Sequence, residues 1–486
     1  MSERTLHNRI KGATKWSVLT EIIAKLVSPI STMVLARLLA PEAFGVLVTA
    51  TMVVSFAEIF TDAGFQKYLI QHEFVSFDDR NKTTTVAFWT NFVLSSIIWV
   101  LIFIFSDSIA ILVGNPGYGL VIAVSAFCIP IEAFSSIQMA LYKRNFDFRT
   151  LFYVRIVGIL VPIFFTIPFA YFSRSYWSLI LGMIILNLAN AFILTIKPSW
   201  KPSLFYDIKR LKKMLSFSIW TLVESICIWL TAYVDIFLVG TALNQYYLGI
   251  YRTSMTTVAQ ITSVIVSAIT PVLFSTLSRL QSNDGELKKM FLTFQRNVGL
   301  FLVPLSTGIF LFSDLIVTII LGNQWHDATY FIGWWGMTSA IVIIISLFGS
   351  ELYRAKGKPR LSLVAQILHL VVLIPIIFFF TSQSFNELCL ARSLVRLEGV
   401  LVHLVVLFWV FRISPFSMFV NLLPAMTSSF AMFLCVEIVR LTVNINNQLI
   451  QIGLAILVYL CVIIFFPNER KLIKELLHKA KKGREV

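Results

Sequence analysis

Apolar stretches about as long as a bilayer's hydrocarbon core is thick recur from one end of this chain to the other, and they decide what it can fold into. Val86 to Phe105, Ile156 to Phe172, Ile332 to Leu347 and Leu449 to Phe466 are four of them, against the roughly 20 residues a helix needs to cross a bilayer. In hydrocarbon every backbone polar group must find its partner inside the chain, so such stretches span as helices. Only 13% of the residues are charged and 57% are hydrophobic, compared with about 25% and 45–50% in soluble domains. The first run, Trp16 to Leu39, exceeds the 7 to 15 residue core of a signal peptide and reads as a retained span. The expected fold is an all-α integral membrane protein of about fourteen transmembrane helices, at 15–39, 44–69, 84–106, 118–141, 151–172, 177–196, 215–240, 248–277, 297–320, 331–353, 362–381, 387–411, 418–440 and 449–466.

Lysine and arginine fix the orientation, because cytoplasmic connections carry their excess. With these spans, the basic residues of the N-terminal tail, of every second connection and of the C-terminal tail fall on one side. They include Arg4, Arg9, Lys11, Lys82, Lys143, Arg144, Lys201, Lys209, Arg210, Lys288, Lys356 and Lys358, while only Arg37, Arg174 and Arg440 fall on the other. Both termini are therefore expected in the cytoplasm. The net charge of +15 needs no nucleic acid partner: it is this bias together with attraction to anionic membrane lipids, about 1 kcal/mol per basic residue near the surface. In the tail, Leu472, Ile473, Leu476 and Leu477 alternate with Lys471, Lys474, Lys479, Lys481 and Lys482, which suits an amphipathic helix lying on the inner leaflet.

Three landmarks recur at nearly one offset. Phe44-Gly45-Val46-Leu47 returns as Leu248-Gly249-Ile250-Tyr251 after 204 residues, Leu112-Val113-Gly114-Asn115 as Ile320-Leu321-Gly322-Asn323 after 208, and Leu141-Tyr142-Lys143-Arg144 as Leu352-Tyr353-Arg354 after 211. The offset equals six spans, so the halves are parallel repeats of the kind that enclose a central cavity in transporters. The expected organisation is a tail at 1–14, a six-helix bundle at 15–196, a basic linker at 197–214, a second six-helix bundle at 215–411, two extra helices at 412–466 and a basic tail at 467–486.

An ionisable group inside a span costs about 2.5–3.5 kcal/mol on insertion scales and is a functional candidate by default. Glu21 and Lys25 lie four apart in span 1, Glu58 and Asp62 four apart in span 2, Glu224 and Asp235 in span 7, Arg252 in span 8, and Arg392 and Arg396 four apart in span 12. Lys25, Arg252, Arg392 and Arg396 are candidate cavity cations for an anionic group. Glu21, Glu58, Asp62, Glu224 and Asp235 are candidate acids for a coupling cation, H+ or Na+, with Glu58 and Asp62 so close that their repulsion should raise a pKa or demand a cation between them. Alternatively Glu21 and Lys25 neutralise each other within their helix. Neither the five cysteines nor the six histidines have metal-ligand spacing, and no Gly-x-x-x-x-Gly-Lys-Ser/Thr loop is present. No metal and no cofactor are expected, and the short connections leave no room for a catalytic domain. These features describe a carrier rather than an enzyme.

The segment Leu35-Ala36-Arg37-Leu38-Leu39-Ala40-Pro41-Glu42-Ala43-Phe44-Gly45, then Asp62-Ala63-Gly64-Phe65 and Leu69-Ile70-Gln71, with Gly322-x-x-Trp325 and Leu141-Tyr142-Lys143-Arg144 further on, resembles the Wzx-type polysaccharide flippases, in particular their colanic-acid-exporter branch. The resemblance implies the fold of the multidrug/oligosaccharidyl-lipid/polysaccharide exporters. It also implies flipping of an undecaprenyl-diphosphate-linked oligosaccharide across the bacterial inner membrane. Relatives that move the peptidoglycan precursor line their cavity with several arginines, which spans 1 and 2 here lack. A cation-coupled exporter of small molecules with the same fold, and an integral-membrane enzyme of envelope glycan assembly, are the competing readings.

Overall fold

The computed structural model describes residues 3–470 apart from 63, 146, 197–199 and 443–446. A helix falls on every expected segment. We number them α1 (Glu3–Leu38), α2 (Pro41–Asp62), α3 (Phe77–Ile104), α4 (Gly119–Arg144), α5 (Phe148–Ser173), α6 (Trp177–Ile196), α7 (Ile208–Ala242), α8 (Gln245–Arg279), α9 (Asp284–Leu311), α10 (Ala328–Ala355), α11 (Arg360–Phe380), α12 (Phe385–Phe411), α13 (Pro415–Thr442) and α14 (Gln448–Ile464). Among the described residues eleven helices are long and apolar enough to cross a membrane, and a twelfth span is counted if α9 is joined to Ser313–Leu321, against which it bends by 83°. The apolar α14 is shorter, at 17 residues. The chain is thus an all-helical, multi-span membrane protein. The lysine-rich segment 471–486 lies outside the described residues, as does its expected amphipathic helix.

The chain forms two compact units, Met1–Thr253 and Ser254–Val486. In the first, Phe65, Leu69, Val86, Phe88, Ile137, Leu141 and Met214 make a buried cluster that also takes in Trp200 of the basic linker. The linker is tied down further where Trp89 Nε1 donates to Ser203 O at 2.9 Å. In the second, Leu273, Phe291, Leu302, Ile344, Phe348, Leu352 and Phe411 form the larger cluster, and Tyr459 of α14 donates its hydroxyl to Leu300 O of α9 at 2.7 Å.

The duplication is built into the geometry. After α3 and after α9 the helix breaks at a phenylalanine followed by Ser-Asp: Phe105-Ser106-Asp107 and Phe312-Ser313-Asp314. A short helix follows each break and ends at a glycine of positive φ, Gly114 at 77° and Gly322 at 99°. Such a φ costs a residue with a Cβ about 1–2 kcal/mol, which is why this landmark repeats as glycine. The Tyr-Lys-Arg landmark repeats for a different reason. Tyr142 donates to Leu194 O at 3.5 Å, and Tyr353 bonds His403 in the same way, reaching its carbonyl at 3.4 Å. Two residues on, Arg144 Nη1 donates to Leu69, Ile70 and His72 carbonyls that end the helix Phe65–Gln71, while three residues beyond Tyr353, Lys356 Nζ bonds Gln281 O just beyond α8. In each half a cation closes a helix C-terminus, where carbonyls lack partners.

The third landmark is a close crossing. A Cβ on Gly45 would lie 2.0 Å from Gln245 O, and one on Gly249 would lie 1.9 Å from Pro41 O. Gln245 follows Pro41 by the same 204 residues that separate the glycines. The first turns of α2 and α8 therefore meet through equivalent atoms, the close backbone approach that small residues allow between membrane helices.

Candidate functional site: a polar and aromatic face of the first unit

Glu132, halfway along α4, is exposed, and its carboxyl faces that of Glu58 on α2. An exposed carboxyl at that depth cannot face hydrocarbon without the penalty noted above, so this side of α2 and α4 faces water. Glu58 thus turns to Glu132 and not to Asp62 as the spacing suggested. Asp62 accepts instead from the backbone N–H of Gln66 at 3.4 Å, because it ends α2 where the chain turns through Gly64 at a φ of 78°.

A separate row of rings joins α2 to α7, on the side of α2 turned away from Glu58, which lies two residues from both Phe56 and Phe60. Phe60 and Phe56 sit one turn apart on α2, edge to face with centroids 5.1 Å apart. Phe56 meets Trp229 of α7 at 4.7 Å, and Trp229 stacks on Tyr233, one turn further along α7, at 5.3 Å. Trp229 Nε1 is fixed by donation to Ser55 Oγ at 3.0 Å. The row ends at Arg252 of α8, whose guanidinium lies 5.5 Å from the Tyr233 ring. Phe56 and Phe60 keep 41% and 36% of their surface exposed, so the row is open rather than core. Its signal in the sequence is the i, i+4 spacing of Phe56 with Phe60 and of Trp229 with Tyr233, and Glu132 answers to the same rule that singled out Glu58.

The remaining candidates divide. Arg252 joins this face. Glu21 is exposed on α1 and Lys25 partly buried, and no ion pair joins them among the described residues. Asp235 is buried, with one oxygen taken by the Tyr251 hydroxyl at 3.1 Å and the other by the Ile236 N–H at 2.8 Å, which makes it an internal acceptor of the first unit. The side chain of Glu224 lies outside the described residues. In the second unit Arg396 lies 3.7 Å over the Trp335 ring and donates to Trp335 O, Thr338 Oγ1 and Ser339 Oγ at 3.1–3.3 Å. Arg392 is buried 4.9 Å from the same ring. These two cations face α10, where the sequence placed them on an open wall. Among the described residues no three His, Cys, Asp or Glu side chains are grouped to hold a metal ion.

Open aromatic faces ending at a guanidinium, with two carboxyls elsewhere in the same unit, are suited to a sugar-bearing anion. Carboxylates accept from hydroxyls, rings offer apolar faces to the C–H side of a pyranose, and arginine pairs with phosphate oxygens.

The profile of a family described as polysaccharide biosynthesis protein matches residues 34–330. An uncharacterized membrane protein in the cps region of Klebsiella pneumoniae is 24% identical over 375 residues, 76% of each chain. The succinoglycan biosynthesis transport protein ExoT of Rhizobium meliloti is 23% identical over 336 residues, 68% of this chain and 67% of that one. Among solved structures, the lipid II flippase MurJ in an inward closed conformation superposes with a TM-score of 0.76 at 16% identity, covering 95% of this chain and all of that one. An inward-facing MATE transporter of the MOP superfamily gives 0.61 at 13% identity, over 84% and 98% of the two chains. The fold is that of these membrane transporters, and the chain belongs to the polysaccharide biosynthesis protein family.

Proposed function

We propose that this chain flips a lipid-linked oligosaccharide from the cytoplasmic to the outer leaflet of a bacterial inner membrane by alternating access, for surface polysaccharide assembly, and catalyses no covalent step. The observation that carries the reading is the open Phe60–Phe56–Trp229–Tyr233 row that ends at Arg252, to which the first unit adds the carboxyls of Glu58 and Glu132 on another side of α2. Sugars do not cross hydrocarbon unaided, since each hydroxyl stripped of its hydrogen bonds costs kcal/mol. A wet, ring-lined face replaces those bonds while the lipid tail stays in the bilayer. The carrier lipid is undecaprenyl diphosphate, whose charge Arg252 and Lys25 meet, and transport draws on a cation gradient. Both termini are cytoplasmic, as the lysine and arginine bias requires.

Deleting the gene in its native host tests this. The oligosaccharide-diphosphate-lipid should accumulate in the cytoplasmic leaflet, protected from a glycosidase added to the periplasm, while surface polysaccharide falls in parallel. Intermediates at wild-type level and open to the glycosidase would sink the reading.

A further inference from the structure

The second unit contains two pairs of titratable groups that the glycan face does not use. His369 of α11 and Glu398 of α12 are joined at 2.9 Å between Nδ1 and Oε2, their side chains only 16% and 24% exposed. His403 of α12 and Tyr353 of α10 are joined at 3.0 Å between Nδ1 and the hydroxyl, with rings stacked at 5.5 Å and 11° and both side chains buried. Five residues separate Glu398 from His403, a rise of about 7.5 Å along α12. Tyr353 lies three residues before Lys356, in the connection assigned to the basic side. The four groups thus form a line from the middle of the membrane towards that side.

The duplication supplies an internal control. Tyr142 makes the sister contact to the carbonyl of Leu194, the residue that stands where the second half has His403. At the same offset the first half has Ala189 in place of Glu398 and the apolar Ile159-Leu160-Val161 around the counterpart of His369. The second half has acquired two histidines and a carboxylate where the shared fold does without them. Chains of Glu and His inside a membrane are the usual substance of proton relays, and histidine is the side chain whose charge changes nearest neutral pH.

We propose that Glu398, His369, His403 and Tyr353 carry the proton that drives this transporter. The inference rests on the carrier reading above and names its coupling ion. One proton adds to the His369–Glu398 pair, passes by way of a bridging water to His403, and is matched by one released from the Tyr353 end. Only N–H and O–H bonds form and break. Among the described residues the other charges near the line are Arg392 and Arg396, on the same helix but turned to Trp335, and Lys358, over the Phe411 ring that stacks on Tyr353. They oppose a further positive charge, whereas Glu398 favours it, so the bound proton is exchangeable rather than fixed.

The test uses the purified full chain in proteoliposomes with a pH-sensitive dye in the lumen and, as probe, the lipid-linked oligosaccharide extracted from the deletion strain. A gradient of one pH unit should speed wild-type flipping by up to roughly tenfold, with protons entering as glycan leaves. Glu398→Gln keeps the hydrogen bond to His369, and therefore any purely structural role, yet should flip at one slow rate with or without the gradient and give no dye signal. His403→Gln should lose most of the acceleration. Wild-type flipping that ignores the gradient, or Glu398→Gln flipping that still responds to it, overturns the proton path and leaves the flippase reading standing. Wild-type protein that moves no glycan under any gradient overturns both.

Discussion

Arg252 and Arg396 both rest on aromatic rings, and their surroundings assign them different work. Arg396 gives three hydrogen bonds to α10 and lies 3.7 Å over Trp335, a stack that lysine cannot reproduce. Arg396→Lys should lower stability in detergent by about 1–2 kcal/mol, the range of a partly desolvated cation–π contact, and leave flipping per folded molecule close to wild type. Arg252 ends an open row of rings, so Arg252→Gln should cut export several-fold at an unchanged melting temperature. Melting curves beside surface-polysaccharide assays separate the two, and the opposite pattern would exchange their roles. Hydropathy marked both arginines as unusual but could not tell a guanidinium facing a neighbouring helix from one facing water. Glu58 posed the same difficulty: its partner Glu132 lies two spans away, and no i, i+4 rule reaches across helices.

The fourteen expected segments all coincide with helices because apolar length is a local property of sequence, and a span needs little else. The break after α9 escaped that reading. Leu311-Phe312-Ser313-Asp314-Leu315 interrupts the apolar run by only two polar residues, too few to lower a window average, yet the helix turns there by 83°. Comparing the halves would have exposed it, since Phe-Ser-Asp stands at the corresponding place after α3. The glycines that close these short helices set the next prediction. Gly114→Ala must hold a Cβ at positive φ and 2.2 Å from Gly240 O, and should destabilise the protein by well over 1 kcal/mol. Gly117, also at positive φ but with open space around it, should lose only the smaller conformational share when changed to Ala. Thermal unfolding of the two variants measures the difference, and equal losses would place the cost in the backbone alone.

At the scale of the whole molecule, the proposed direction of transport depends on orientation. Single cysteines at Asn244 or Asn323 should react with an impermeant thiol reagent added to intact cells, and cysteines at Asn145 or Asn283 should not. The reverse labelling would invert the topology and the proposed direction with it. The glycine crossing of α2 and α8 bears on the molecule's history. A surface that meets its own copy through equivalent atoms is the signature of a two-fold homodimer, and here it persists inside one chain. Had two half-length ancestors once associated through that patch, gene fusion would have freed them to diverge everywhere except where each still touches the other. Gly45 and Gly249 are then a fossil of the lost symmetry, held alike by mutual contact, while His369 and Glu398 mark where the second copy was at liberty to become something the first is not.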